Sequence, residues 1–230
     1  MIYKSYLLEK NTKSIYSQKA FLFYGENDGL KNEFKKIIKI ENIKSQSLNF
    51  NQEEIIKNNN LLINEITNKS LFEDNKIIFI DQVNDKILNI LDEELIKSLD
   101  KEMIFLFTGM LDKKSKIRNY FEKSNICGIT ACYKDNEIAI RKKISEKLNK
   151  YKGLTPQILN LIIDNTGLDR NKINNEIEKI ESCFLDKIID ENKLQLLLNI
   201  RANDDFNQLK DDALNGNKFK TNKLLGDTVF

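Results

Sequence analysis

The sequence predicts an α/β fold: a parallel sheet domain followed by a small helical domain. Three observations carry that expectation. Short β-rich apolar runs alternate with longer amphipathic stretches up to Tyr133; the runs KIIFI and MIFLF show no polar–apolar alternation; after Tyr133 only helical periodicity remains. Strands that are apolar on both faces suit a sheet covered by helices on each side.

Taken in order, Phe21 to Tyr24 forms a first strand ending at Gly25, and Ser45 to Phe50 a weaker second. Lys76 to Ile80 ends at Asp81, Met103 to Phe107 ends at Thr108 and Gly109, and Ile126 to Tyr133 is the fifth. Amphipathic helical patterns lie between them at 28–40, 52–66, 85–98 and 113–123. Helices are then expected at 135–151, at 155–166 with Pro156 in the first turn, at 169–185 and at 190–200, with Lys152-Gly153 and Gly167 as stops. Phe206 to Leu214 and Phe219 to Leu225 begin two more helices, too short to build a core of their own. The expected division is therefore 1–134, an α/β domain; 135–203, a helical domain; and 204–230, the start of a third in which the chain stops.

Composition narrows the chemistry. Forty per cent apolar residues in a chain of 230 can fill a core, and no apolar run approaches the roughly 18 residues of a membrane span. The balance of 37 Lys+Arg against 35 Asp+Glu gives no global electrostatic reason to bind nucleic acid, so local patches must supply one. The absence of His removes Ser-His-Asp and Cys-His catalysis, histidine metal sites and histidine pH switches. Cys127, Cys132 and Cys183 are odd in number and lack CxxC spacing, so buried, reduced thiols and no metal site are expected. MIYKSYLLEK has no export signal, which points to the cytoplasm, and the Asn- and Lys-rich usage suits an A+T-biased genome.

The segment FLFYGENDGLKNEF sits where a phosphate-binding loop would, and can be tested against G-x-x-x-x-G-K-[ST]. Gly25 and Lys31 match, but the second Gly falls on Leu30 and the magnesium hydroxyl on Asn32. Leu30 would block close backbone approach to phosphate, and Glu26 and Asp28 add carboxylates where phosphate oxygens would lie. In IIFIDQ, Asp81 occupies the acidic end of a Walker B strand, yet Gln82 stands where a catalytic carboxylate would, and Gln cannot serve as a general base. Asp81 also reads simply as a strand terminus, and Thr108 as either a polar sensor or a strand end. Arg170 opens a helix after Gly167-Leu168-Asp169, where a solvated Arg is expected.

Lys113, Lys114, Lys116 and Arg118 form the densest basic cluster; it reads as a solvated face or as a contact for a negatively charged partner. Ser70-Leu71-Phe72 places two large apolar side chains in a polar stretch, either tucked into the core or displayed as an anchor for a partner's pocket.

In order and spacing, these segments (the degenerate loop FLFYGENDGLKNEF, SLF before an apolar strand, KIIFIDQV, FLFTGMLDKKSKIRNYFEK and GLDRNKINNEIEKIE) resemble the delta subunit family of the bacterial DNA polymerase III clamp loader. The resemblance covers residues 20 to 185, and Gly109 to Lys116 is its most specific string. It implies an AAA+ (P-loop NTPase-like) module at 1–134 with a degenerate nucleotide site (Gly25, Leu30, Lys31, Asn32, Asp81, Gln82, Thr108 and Arg170) and a DNA or subunit contact at Lys113, Lys114, Lys116 and Arg118, a helical lid at 135–203 and a partial helical collar at 204–230. It also implies a non-catalytic, cofactor-free component of the DNA-directed DNA polymerase (nucleotidyltransferase) holoenzyme. Such a subunit binds and opens the β sliding clamp for loading onto primed DNA. Its partners would be the clamp, the gamma/tau and delta-prime subunits and, through the assembled complex, primer-template DNA. By position Leu71 and Phe72, with Ser70, would be the clamp-binding residues, which shifts their reading from core to anchor. Family members are longer, so the collar and pentamer assembly stand open. The competing readings are an active P-loop NTPase, and a degenerate AAA+ scaffold without a clamp role.

Overall fold

A computed structural model describes residues 1–58, 60–68, 75–198 and 206–228. Its first unit comprises Met1–Asn136 together with Leu168–Asn171. Along the chain it contains β1 (Ile2–Lys4), α1 (Ser5–Lys10), a 3-10 turn (Thr12–Ser17), β2 (Ala20–Tyr24), α2 (Asp28–Glu41), β3 (Gln46–Asn51), α3 (Gln52–Lys57) and α4 (Asn60–Thr67). There follow β4 (Lys76–Asp81), a second 3-10 turn (Asp85–Asn89), α5 (Glu93–Ser98), β5 (Glu102–Phe107), α6 (Lys116–Lys123) and β6 (Cys127–Ala131). The sheet runs β1-β6-β2-β5-β4-β3 with every pair parallel, so the fold is α/β with a parallel sheet.

The strand order dictates which face each helix covers. From β2 the chain steps outward to β3, and then β4, β5 and β6 all step back, β6 passing to the far side of β2. Right-handed crossovers therefore put α2 on one face and α3 to α6 on the other. The core follows this division. Leu30, Phe34 and Ile38 of α2, spaced four apart, pack with Phe21, Phe23, Phe79, Phe105 and Phe107; the rings of Phe23 and Phe107 stack at 5.0 Å. The alternate strand residues Leu22, Ile78, Ile80, Ile104 and Leu106 meet Ile55, Leu62, Ile87, Ile96, Ile117 and Phe121 on the opposite face.

Three details differ from the sequence expectation. A sixth strand, β1, adds an edge, and α1 follows it; three residues with an exposed Ile2 offer no periodic signal. The expected helix at 52–66 breaks at Asn58, whose N–H closes α3 on the Glu54 carbonyl, while Asn51 and Glu54 form a capping box at its start. The expected helix at 85–98 becomes a 3-10 turn capped by Asn84 and then α5 capped by Asp92, whose carboxylate accepts the Leu95 N–H at 2.8 Å.

The second unit comprises Glu137–Gly167 and Lys172–Phe230. It contains α7 (Glu137–Lys147), α8 (Pro156–Thr166), most of α9 (Arg170–Cys183), α10 (Glu191–Leu197), α11 (Phe206–Leu214) and α12 (Lys218–Thr228). Pro156 sits in the first turn of α8 behind the Thr155 cap, and Gly167, at φ +60°, ends that helix. Ile140, Ile144, Ile158, Ile162, Ile173, Ile177, Ile180, Phe184 and Leu194 form its core. Cys127 and Cys132 are buried as expected, whereas Cys183 is exposed, because it ends α9 on the side away from those isoleucines.

Candidate functional site

Ligands of open α/β sheets settle beyond the carboxyl ends of the strands where the connections diverge, and here that point is the end of β2. Gly25 stands there at φ +126°, and a Cβ would lie 2.2 Å from the Cys132 carbonyl oxygen, so only glycine lets the chain cross the end of β6. Its N–H donates to the Gly109 carbonyl at 3.0 Å. Asn27 then caps α2: its Oδ1 accepts the Leu30 N–H at 3.0 Å, and its Nδ2 donates to the Tyr133 carbonyl and, at 2.8 Å, to Asp135.

Lys31, in the lysine position of a phosphate loop, is only 7% exposed and fully engaged within the protein. Its ammonium donates to the Gly25 carbonyl at 2.8 Å and the Thr108 carbonyl at 2.7 Å, and pairs with Asp28 at 2.8 Å. An ammonium has three protons, and three acceptors take them. Leu30 is 2% exposed and belongs to the core under α2; Asn32 is exposed with its amide 3.3 Å from Asn171, and Glu26 accepts the Lys134 N–H. The residues of the loop are therefore brought together around Lys31, whose ammonium is taken up by Gly25, Thr108 and Asp28.

Asp81 is committed to Lys35 at 2.7 Å, and that ammonium also lies over the rings of Phe79 and Phe107 at 5.4 and 5.5 Å. Gln82, at φ +57°, accepts a hydrogen bond from Asn51 at 2.9 Å and does not join the site at Gly25. Thr108 donates its hydroxyl to the Val83 carbonyl at 2.6 Å while its own carbonyl serves Lys31, tying the ends of β4 and β5 to the loop.

Arg170 overturns the expectation of a solvated side chain. It is 5% exposed and belongs to the first unit. Its guanidinium forks onto both oxygens of Asp135 and reaches Glu9 at 2.6 Å and Glu33 at 3.0 Å. Burial pulls its pKa down, but the hydrogen bonds of Asp135 and Glu9 and the charges of Glu9 and Glu33 outweigh that, and the net shift is upward. Gly29 makes the approach possible: a Cβ there would lie 2.4 Å from that of Arg170. Nearby, burial pushes the Cys132 thiol up to about 12, against the pull of Lys31 and Arg170, so it stays protonated at neutral pH. Asn27, Glu9, Glu33 and Asp135 were not singled out from the sequence; only Asn27, a cap residue ahead of a helical pattern, had a local signal.

Of the basic cluster, Lys113, Lys114 and Lys116 are exposed, but Arg118 is not free. Its Nε pairs with Glu122 at 2.8 Å, its NH1 donates to the Leu111 carbonyl at 3.2 Å, and it lies 5.0 Å over the Tyr24 ring, because α6 begins at Lys116 and turns Arg118 towards the sheet. Ser70, Leu71 and Phe72 lie outside the described residues. On either side of them, Lys76 of β4 donates to the carbonyls of Glu65 and Asn68, joining the end of α4 to the start of β4. Among the described residues no group of three His, Cys, Asp or Glu side chains could hold a metal, and no helix is long and apolar enough to cross a membrane.

No family model matches the sequence, and no curated protein matches it. Solved structures do. The chain is similar to the Bacillus subtilis DNA clamp loader delta protein (YqeN), with a TM-score of 0.63 and 14% identity over 97% of this chain and 70% of that one. At that identity the likeness is one of fold, and it extends over nearly all of this chain. Domain III of the Thermotoga maritima replication initiation protein DnaA aligns with a TM-score of 0.46 and 14% identity, over 84% of this chain and 89% of that one. C. elegans PCH-2 aligns with 0.44 and 16%, over 84% and 63%.

Proposed function

We propose that this chain is a delta-type clamp-loader subunit that acts by binding and not by hydrolysis. In this reading Leu71 and Phe72, flanked by Ser70, enter a pocket of a ring-shaped β sliding clamp and favour its open form, for loading onto primed DNA in the cytoplasm. Partner subunits of the gamma/tau and delta-prime kind supply nucleotide hydrolysis within the polymerase holoenzyme. The observation that carries the reading is the state of Lys31: in a fold like that of a clamp loader delta protein, the phosphate-loop lysine is spent on Gly25, Thr108 and Asp28. Leu30 in the core, Gln82 turned to Asn51 and Asp81 held by Lys35 support the same conclusion.

The energetics are adequate. Two apolar side chains buried at a desolvated pocket contribute on the order of 3 to 6 kcal/mol before association costs. Opening a ring requires only that the open form be bound more tightly than the closed one. The test is binding of this chain to its cognate clamp, wild type beside Leu71→Ala/Phe72→Ala, with circular dichroism on both. Clamp binding lost only in the folded double variant is the expected result. Equal binding by the double variant, or none by the folded wild type, would remove the clamp role; saturable ATP binding would restore the NTPase reading.

A further inference from the structure

The two edges of the sheet are finished differently. The β1 edge is three residues long and carries Lys4, and short edge strands bearing lysine are a common guard against further pairing. The β3 edge, Gln46–Asn51, is six residues long with no charge and no proline, in a chain that is 31% charged. It has neither guard.

The pairing of β3 with β4 fixes which of its backbone groups are free. The Gln46 N–H donates to the Asn75 carbonyl, one residue before its register partner Lys76, and in a parallel ladder the groups of alternate residues turn to the same side. Gln46, Leu48 and Phe50 therefore serve β4, while the N–H and C=O of Ser47 and Asn49 point outward. The Ser45 N–H closes on the Asn42 carbonyl and the Asn51 N–H on the Glu54 carboxylate, so the free stretch is bounded at both ends. Apolar surface flanks it in the elements that enter and leave the strand: Ile40 at the end of α2 and Ile43 just before β3 are 62% and 84% exposed, and Ile56 of α3 is exposed as well.

An open edge of this kind takes another strand, and the sequence of β3 suits a second copy of itself. In an antiparallel pairing about Leu48, Ser47 of each copy lies opposite Asn49 of the other. These are the two residues with free backbone groups, so each opposed pair exchanges two hydrogen bonds. Leu48 meets its own counterpart on the axis and extends the half-buried face on which it and Phe50 already pack. No like charges meet within the strand. Beyond its ends the first charged residue is Lys44 on one side and Glu53 on the other, and the two-fold brings Lys44 of each copy beside Glu53 of the other. A parallel in-register pairing would set Lys44 against Lys44.

We propose that β3 is a homodimerisation edge, through which two copies of this chain pair antiparallel over Gln46–Asn51 and join their sheets into one. Such an interface is isologous and closes on itself, so it yields dimers and not filaments. Two strand edges with their flanking isoleucines are on the scale of about 1,000 Å² in total, the lower end for a specific interface, and the dimer is therefore reversible. The edge includes neither Leu71 and Phe72 nor the crevice at Gly25, and it stands or falls independently of the clamp-binding reading.

The test is sedimentation equilibrium of the full chain over a concentration series into the high micromolar range, in which wild type forms a dimer. Ser47→Lys/Asn49→Lys sets like charges opposite each other at both pairs and weakens the dimer about tenfold or more; both side chains are exposed, so the thermal melt stays unchanged. Lys44→Glu alone sets acid against acid and weakens it about threefold, and Lys44→Glu/Glu53→Lys restores it. A wild type that stays monomeric at every concentration overturns the proposal and leaves the edge to a strand of another protein. A dimer indifferent to Ser47→Lys/Asn49→Lys overturns it too, by placing the interface elsewhere. Failure of the exchanged pair to restore what Lys44→Glu loses overturns the antiparallel pairing.

Discussion

The crevice at the end of β2 and the groove between α5 and α6 are both rich in cations, yet they treat them in opposite ways. In the crevice, Lys31 and Arg170 are buried and each of their nitrogens donates to an acceptor within the protein. In the groove, Lys114, Lys116 and Lys123 are exposed, and none of the ion pairs found among the described residues is theirs. The lesson is that the position of a basic residue in a fold does not assign its role; the disposition of its protons does. A cation whose hydrogen bonds close internally holds the fold, and one left open to solvent does not.

The comparison can be broken most sharply at Arg170. Arg170→Met leaves Glu9, Glu33 and Asp135 facing one another without their shared cation, and should cost about 3 kcal/mol, measured by urea unfolding. A variant as stable as wild type would show that the cluster is incidental. Lys31→Met should cost less, about 2 kcal/mol, because Asp28 is exposed and only the two carbonyls lose a buried donor. It should also leave isothermal titration with ATP flat, since the substitution adds no cation or donor to the loop; a gain of binding would mean that Lys31 masks a working site.

The smallest effect is expected under the groove. Asp85→Ala should cost about 1 kcal/mol at neutral pH, the usual value of a carboxylate at a helix start. The Ile117 N–H and the Ser115 hydroxyl hold the Asp85 carboxyl below its ordinary value. A depressed folded pKa contributes stability above the unfolded value, near 4, and loses it as pH falls through the folded one. The gap between wild type and Asp85→Ala should therefore close on acidification; a gap that widened would contradict the cap.

Much of this was legible in the sequence, for reasons that differ by residue. Phe21 to Tyr24, KIIFI and MIFLF announced themselves because a strand buried on both faces has no polar alternation, and Leu30 departs from the phosphate-loop pattern because it packs into the core under α2. The edge strand β1 left no trace, since three residues open to solvent on one side need no pattern. Arg170 was misread because its partners lie 35, 137 and 161 residues away, and such distances leave no local mark. The groove shows the same limit: Lys114, Lys116 and Lys123 are neighbours in sequence, but Lys97 joins them only because α5 and α6 lie in consecutive crossovers on one face of the sheet.

The pairing of β1 with β6 also has a temporal side. Ile2 aligns with Ile129, and the Met1 carbonyl accepts the Ile129 N–H. β1 must therefore wait for β6, the last strand of its sheet along the chain, roughly 10 s at ordinary rates of synthesis, before it has a neighbour. Over that interval Ile2, Tyr6 and Leu7, which stay exposed even in the finished structure, belong to a segment without its strand neighbour, and the β1 edge of the sheet is the last to be completed.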